Sequence, residues 1–162
     1  MLSKFGSHFM IDRDLWELWL SVTLEITVDC RRIVVFDPLI NKADNTALFD
    51  ALGWASDIGS GSLYILTAWN PGGVKLPMHL NRRAQAELLS QLGSLGCNFW
   101  PSVGSSGSWI ESGTAFLSGD DALAQALGHR YKQLAYYRVE MSQIWCVEVG
   151  NTHNESPLIR VV

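Results

Sequence analysis

The chain has no closely spaced pair of cysteines, no long apolar run and no concentration of positive charge. Its three cysteines, Cys30, Cys97 and Cys146, are odd in number and far apart. That spacing argues against a disulfide framework and supplies no Cys-x-x-Cys or Cys/His arrangement for zinc. Scattered thiols suit a reducing compartment. No stretch reaches the ~18 apolar residues of a membrane span, and residues 1–8 lack the apolar h-region of a secretory signal. A cytoplasmic protein with no membrane partner is therefore expected. The net charge is −4, and the only paired arginines are Arg31-Arg32 and Arg82-Arg83. Without a basic stripe, nucleic-acid binding is not expected.

Catalytic motifs are equally sparse. There is no GxxxxGK[ST] phosphate loop, no GxGxxG after a strand, no HExxH and no GxSxG nucleophile elbow. His153-Asn154-Glu155 matches the first half of a zinc deaminase motif, but no PCxxC accompanies it. The four histidines, His8, His79, His129 and His153, share no ligand spacing. Neither a metal nor a cofactor is expected. Of the four, only His79 lies beside the turn discussed below.

What is present is an ordinary globular composition: 162 residues, 48% apolar and 17% charged. Asp12 can cap a helix carrying Leu15, Trp16, Trp19 and Leu20 on one face. Residues 23–28 and 31–36 read as a hairpin closed by Asp29-Cys30. A second helix is expected after Asn41 and Asp44, burying Ala47, Leu48, Ala51 and Leu52 and ending at Gly53. After the Gly/Ser loop at 59–62, residues 63–69 form a nearly continuous apolar run, as a central strand covered on both faces does. The long helix that follows places Leu80, Ala84, Leu88, Leu92 and Leu95 on one side and ends at Gly96. Strands at 98–103 and 109–117 flank the loop 104–108. Ser118 and Asp121 resemble a capping box for a helix with Leu123, Ala126, Leu127 and Tyr131 inward. Two strands, 134–139 and 144–149, close the order. Helices, hairpins and crossovers in this sequence predict an α/β (α+β) fold, a single mixed sheet with three to four helices packed on it. The expected organisation is an N-terminal extension at 1–12, one domain at 13–150 and a loosely held polar tail at 151–162, with no oligomeric state implied.

Polar residues gather at the ends of the apolar elements. Thr67 and Asn70 lie at the carboxyl end of the presumed central strand, where open α/β sheets tend to bind ligands. Pro71 keeps Asn70 out of the right-handed α region, and Pro71-Gly72 suits the middle of a tight turn. Asn81 falls in the first turn of the long helix, one residue from its buried stripe, with its side chain able to face the preceding loop. Glu111 and Ser112 interrupt an apolar strand, and a carboxylate there is either paired or raised in pKa. Two readings follow. Asn70, Asn81 and Glu111 hydrogen-bond one another and fix the loop, or they form a site in which the asparagines position a ligand and Glu111 acts as acid or base.

The same residues carry a resemblance. Thr67-Ala68-Trp69-Asn70-Pro71, then Asn81, then Trp109-Ile110-Glu111-Ser112 and Gln133-Leu134-Ala135 resemble, in order, the motifs of a family catalogued as domain of unknown function 3293. The likeness spans roughly residues 13–149, with two departures: Ser112 directly follows Glu111, and Leu134 stands where an asparagine is expected. It brings no activity, substrate or cofactor. It implies only where a shared site lies, adding Trp69, Ser112 and Gln133 as substrate-binding residues beside Thr67, Asn70, Asn81 and the catalytic candidate Glu111.

Two functions are expected on these grounds. One is binding of a polar small molecule at the turn 67–73. The other is a non-enzymatic interaction or regulatory protein of inhibitor or immunity type, acting on a protein partner through exposed tryptophans such as Trp54, Trp100 and Trp109.

Overall fold

The structure is a computed structural model, and it describes residues 12–41, 44–53 and 61–158. The expectations on His8, Trp54 and residues 59–60 lie outside these. The described residues form four α-helices and one eight-stranded sheet.

Helix α1, Arg13–Trp19, begins as expected, with Asp12 accepting a hydrogen bond from the Asp14 amide. Strands β1, Thr23–Val28, and β2, Arg31–Phe36, pair as a hairpin. Asp29 and Cys30 both have positive φ, 47° and 63°, as a two-residue type I′ turn requires. Helix α2, Thr46–Ala51, is short and buries Leu48 and Phe49, leaving Ala47 and Ala51 exposed. Strand β3, Ser62–Leu66, is followed by one turn of 3-10 helix, Pro71–Gly73, and then α3, Met78–Ser94. Next come β4, Phe99–Ser106, β5, Trp109–Ser118, α4, Asp121–Arg130, β6, Ala135–Val139, and β7, Ile144–Glu148. The loop expected at 104–108 shrinks to the turn Gly107-Ser108, because β4 runs on to Ser106.

The strand order is β2-β1-β4-β5-β3-β6-β7, followed by a last strand, β8, Asn151–Pro157. Every neighbouring pair is antiparallel, so the sheet is not mixed. The crossovers are real, but each skips a position. α3 carries the chain from β3 to β4, which run the same way, and β5 is inserted between them. α4 carries it from β5 to β6 across β3. The unit β3-α3-β4-β5-α4-β6 is thus the split βαβ arrangement of ferredoxin-like folds. The hairpin β1–β2 extends it on one side and β7–β8 on the other.

The stretch expected to be a loose tail is therefore an edge strand. Its polarity reflects the open edge, and Glu155 reaches the Arg138 guanidinium at 2.9 Å. That ion pair, together with exposed His153, gives the partial deaminase motif a structural place.

Both sheet faces are covered, which is why β3 reads as an uninterrupted apolar run. Tyr64, Leu66, Phe116 and Tyr136 pack with Leu88 and Leu92 of α3 and Ala124 and Leu127 of α4. Leu63, Ile65, Ala115 and Val139 pack on the other face with Trp16 and Trp19 of α1 and Leu48 and Phe49 of α2. In α3 the buried stripe is rotated from the expected one. Asn81, Leu88 and Leu92 are buried, while Leu80 and Leu95 stand 41% and 54% exposed.

The cap of α4 also differs. Asp120 caps the helix by accepting from the Ala122 amide. Asp121 turns to the sheet, accepting from the Tyr64 and Tyr136 hydroxyls at 2.6 and 2.7 Å and from Arg138 at 3.2 Å. Burial acts to raise its pKa, but these donors outweigh it and hold the carboxyl below its usual value of 3.8. Such a group stabilises the fold above the unfolded-state pKa and loses that contribution as pH falls. Asp121→Asn is expected to cost about 1–2 kcal/mol at pH 7, the loss of charge-assisted hydrogen bonds. Urea midpoints should show the gap to the native chain narrowing at pH 3.

Candidate functional site

Beyond β3 the backbone is held almost residue by residue. The Thr67 hydroxyl donates to the Ser112 carbonyl at 2.7 Å and accepts from the Trp69 amide at 3.0 Å. Asn70 sits in the left-handed region, φ 49° and ψ 59°, which asparagine tolerates better than most residues. That conformation turns the chain so that Gly72 N–H donates to the Lys132 carbonyl at 2.7 Å.

Asn70 and Asn81 then lock together. The Asn70 amide donates to Asn81 Oδ1, and Asn81 Nδ2 donates to Asn70 Oδ1, both at 2.9 Å. Asn81 Nδ2 also donates to the Leu76 carbonyl at 3.3 Å, and the Leu76 amide to Asn70 Oδ1 at 2.9 Å. Asn81 is only 3% exposed. It lies within the buried stripe of α3 rather than one residue from it, and its carbonyl and amide groups are engaged by the loop. Asn70 retains one group, Nδ2, directed to Glu111 Oε1 at 2.7 Å.

Glu111 stands on β5 opposite Gly104 of β4. Burial pushes its pKa up from 4.5 to about 7, against the opposing pull of the Asn70 hydrogen bond. Its other oxygen, Oε2, has no hydrogen-bond partner among the described residues.

These groups border a cavity of about 570 Å³ between α1 and the sheet. Its floor is cut low by Ser102, Gly104 and Gly113. A Cβ on Gly113 would stand 2.9 Å from Ser102 Oγ and 3.0 Å from the Leu66 carbonyl oxygen, so that position requires glycine. Leu15, Leu18 and Trp19 of α1 close one side, and Trp69, Trp109 and Tyr137 add aromatic wall. The Tyr137 hydroxyl donates to the Trp19 carbonyl at 2.9 Å, and burial raises its pKa well above the ordinary value. Ser102 Oγ and Trp69 Nε1 are buried without a hydrogen-bond partner among the described residues.

Of the residues singled out from sequence, Thr67, Trp69, Asn70, Asn81, Glu111 and Gln133 all border this cavity. Gln133 Nε2 donates to the Trp69 and Tyr131 carbonyls at 2.9 and 3.2 Å, tying the end of α4 to the turn. Ser112 does not border it. Side chains alternate along a strand, so Ser112 faces away from Glu111 and takes part only through its carbonyl. His79 is exposed and outside the cavity lining. Sequence reading missed the wall from α1 and Tyr137, and the floor. Glycines inside strand segments do mark close approach or missing side chains, and Gly104 and Gly113 carried that signal.

Residues 66–136 match the family described as protein of unknown function (DUF3293). The resemblance is borne out over this segment. The DUF3293 segment is narrower than residues 13–149, and it corresponds to the split βαβ unit, running from the end of β3 into β6. It contains all seven residues singled out for the site. Leu15, Leu18, Trp19 and Leu24, which close the cavity, lie outside it. No curated protein and no solved structure matches the chain. Among the described residues, no group of three His, Cys, Asp or Glu side chains is placed to hold a metal ion, and no helix is long and apolar enough to cross a membrane.

Proposed function

We propose that the chain binds a small molecule in the cavity beside the 67–73 turn, with Glu111 as the group that meets it. The observation carrying this reading is the Glu111 carboxylate, fixed through one oxygen by Asn70 and bordering a cavity of mixed apolar and polar walls with the other unpartnered among the described residues. A volume of about 570 Å³ is within the range of small-molecule sites, which combine apolar walls with a few convergent polar groups. Asn70 and Asn81 act by positioning, since their hydrogen bonds are spent on the loop and on Glu111. A group that titrates near neutrality can exchange a proton with what it binds. A reducing, cytoplasmic setting suits the three free thiols. For the alternative of a protein partner, Trp100 and Trp109 give no support, because both pack partly against the core.

Gly104→Val tests the reading. A Cβ there meets nothing nearer than Leu24 Cδ2 at 3.7 Å, so the valine methyls grow into the cavity rather than into the sheet. In ligand-observed NMR with a library of fragments, binders of the native chain should lose affinity at least about tenfold in this variant, equivalent to about 1.4 kcal/mol. Undiminished binding, or no binder of the native chain at all, rules the proposal out.

A further inference from the structure

We infer that the molecule taken by this cavity is an organic monocation with an apolar or aromatic body, held by the Glu111 carboxylate and the surrounding aromatic faces. The inference rests on the small-molecule reading above and adds the ligand's charge to it. Its first support is a carboxylate uncompensated among the described residues. The ion pairs among the described residues belong to Arg32, Arg83 and Arg138, and none of them reaches Glu111. Among the described residues, the only group that favours its ionised form is the neutral Asn70 amide. A carboxylate partly removed from water in this way is driven to take up either a proton or a cation. Above the pKa of Glu111 an anionic ligand would add a second negative charge beside the first, and a neutral one would leave the carboxylate unbalanced.

The second support is the wall. Trp19, Trp69, Trp109 and Tyr137 all border the cavity, and tryptophan and tyrosine faces attract ammonium and guanidinium groups through the ring quadrupole. Among the described residues, the other ionisable groups bordering it are Lys75 of the loop and Tyr136 and Tyr137 of β6. Lys75 is exposed and forms no ion pair with Glu111. The Tyr136 hydroxyl donates a hydrogen bond to Asp121 and the Tyr137 hydroxyl to the Trp19 carbonyl, and both phenols keep their protons. Glu111 is left as the group whose charge the ligand must answer.

The test uses three probes of one size class and different charge: benzyltrimethylammonium, its neutral isostere neopentylbenzene, and phenylacetate. Binding is followed by NMR on the whole chain. At pH 8 the cation should bind at least about tenfold tighter than the isostere, and Glu111→Gln should abolish the preference. Because the cation does not titrate, its affinity should fall about tenfold between pH 8 and pH 6 as Glu111 takes up its proton. This profile is measured on the native chain, so it decides the matter even if the variant misfolds. Equal binding of the isostere or phenylacetate at pH 8, or a flat pH profile, overturns the inference of a cation. If fragments bind and lose affinity in Gly104→Val while the cation does not bind, only the charge assignment falls. If neither fragments nor probes bind, the cavity reading falls with it.

Discussion

Asn81→Ala is expected to lower stability by about 3 kcal/mol, the range for breaking a buried hydrogen-bonded network, and to lower the melting temperature by about 6–12 °C. The size of the effect follows from where the three hydrogen bonds of Asn81 go. They reach the Asn70 amide, Asn70 Oδ1 and the Leu76 carbonyl, at a side chain that is only 3% exposed. Alanine leaves backbone groups of the loop buried without a partner, and the left-handed conformation of Asn70 loses the brace opposing it. Asn81→Asp should be worse, because a carboxylate in place of the amide confronts two oxygen acceptors. Asn70→Ala removes the same network from its other end. The double variant should therefore cost little more than either single one, departing from additivity as residues of one network do. Urea denaturation of the native chain, the two single variants and the double variant gives the cycle. A loss below about 1 kcal/mol for Asn81→Ala would mean that Gln133 and the Gly72–Lys132 hydrogen bond hold the turn by themselves.

The part of this network legible in the sequence was the part carried by local chemistry. Asn-Pro-Gly after an apolar run marks a turn at a strand end, and an asparagine early in the next helix is within its reach. Asn81 as a core residue was not legible, because a helical stripe is read from apolar residues. Leu80 scored as buried while its polar neighbour took the inner position. The sheet failed for a different reason. Periodicity identifies strands and helices but not which strands become neighbours, and a βαβ crossover is normally read as a parallel pair. Here β5 and β3 occupy the skipped positions, so both crossovers persist with no parallel pair formed. Glu111 and Ser112 show the finest limit. A strand places adjacent residues on opposite faces, and only the register against Gly104 and Val103 decides which of the two borders the cavity. The contribution of α1 was hidden altogether, since a stripe of Leu15, Leu18 and Trp19 looks the same whether it packs on a filled core or roofs a cavity.

Glu111→Gln is expected to make the protein more stable than the native chain, and increasingly so as pH rises. A carboxyl whose pKa is raised in the folded state, here from 4.5 to about 7, binds its proton more tightly folded than unfolded. Its contribution to stability is complete below the unfolded value, declines as pH rises between the two, and is gone above the folded one. At 1.36 kcal/mol per pKa unit, the native chain should lose about 3 kcal/mol from this residue between pH 4.5 and pH 8. Glutamine keeps an oxygen for the Asn70 amide and has no charge to desolvate, so the variant escapes the loss. Denaturant midpoints taken at unit intervals across this range should diverge with rising pH, whereas Asp121→Asn and the native chain should converge as pH falls. Parallel profiles for Glu111→Gln and the native chain would show that Glu111 titrates like a solvated carboxylate, and the cavity would then be wet around it. Divergence would mean that the fold keeps an ionisable group at a position where an amide is more stable, the cost expected where a residue is retained for what it binds.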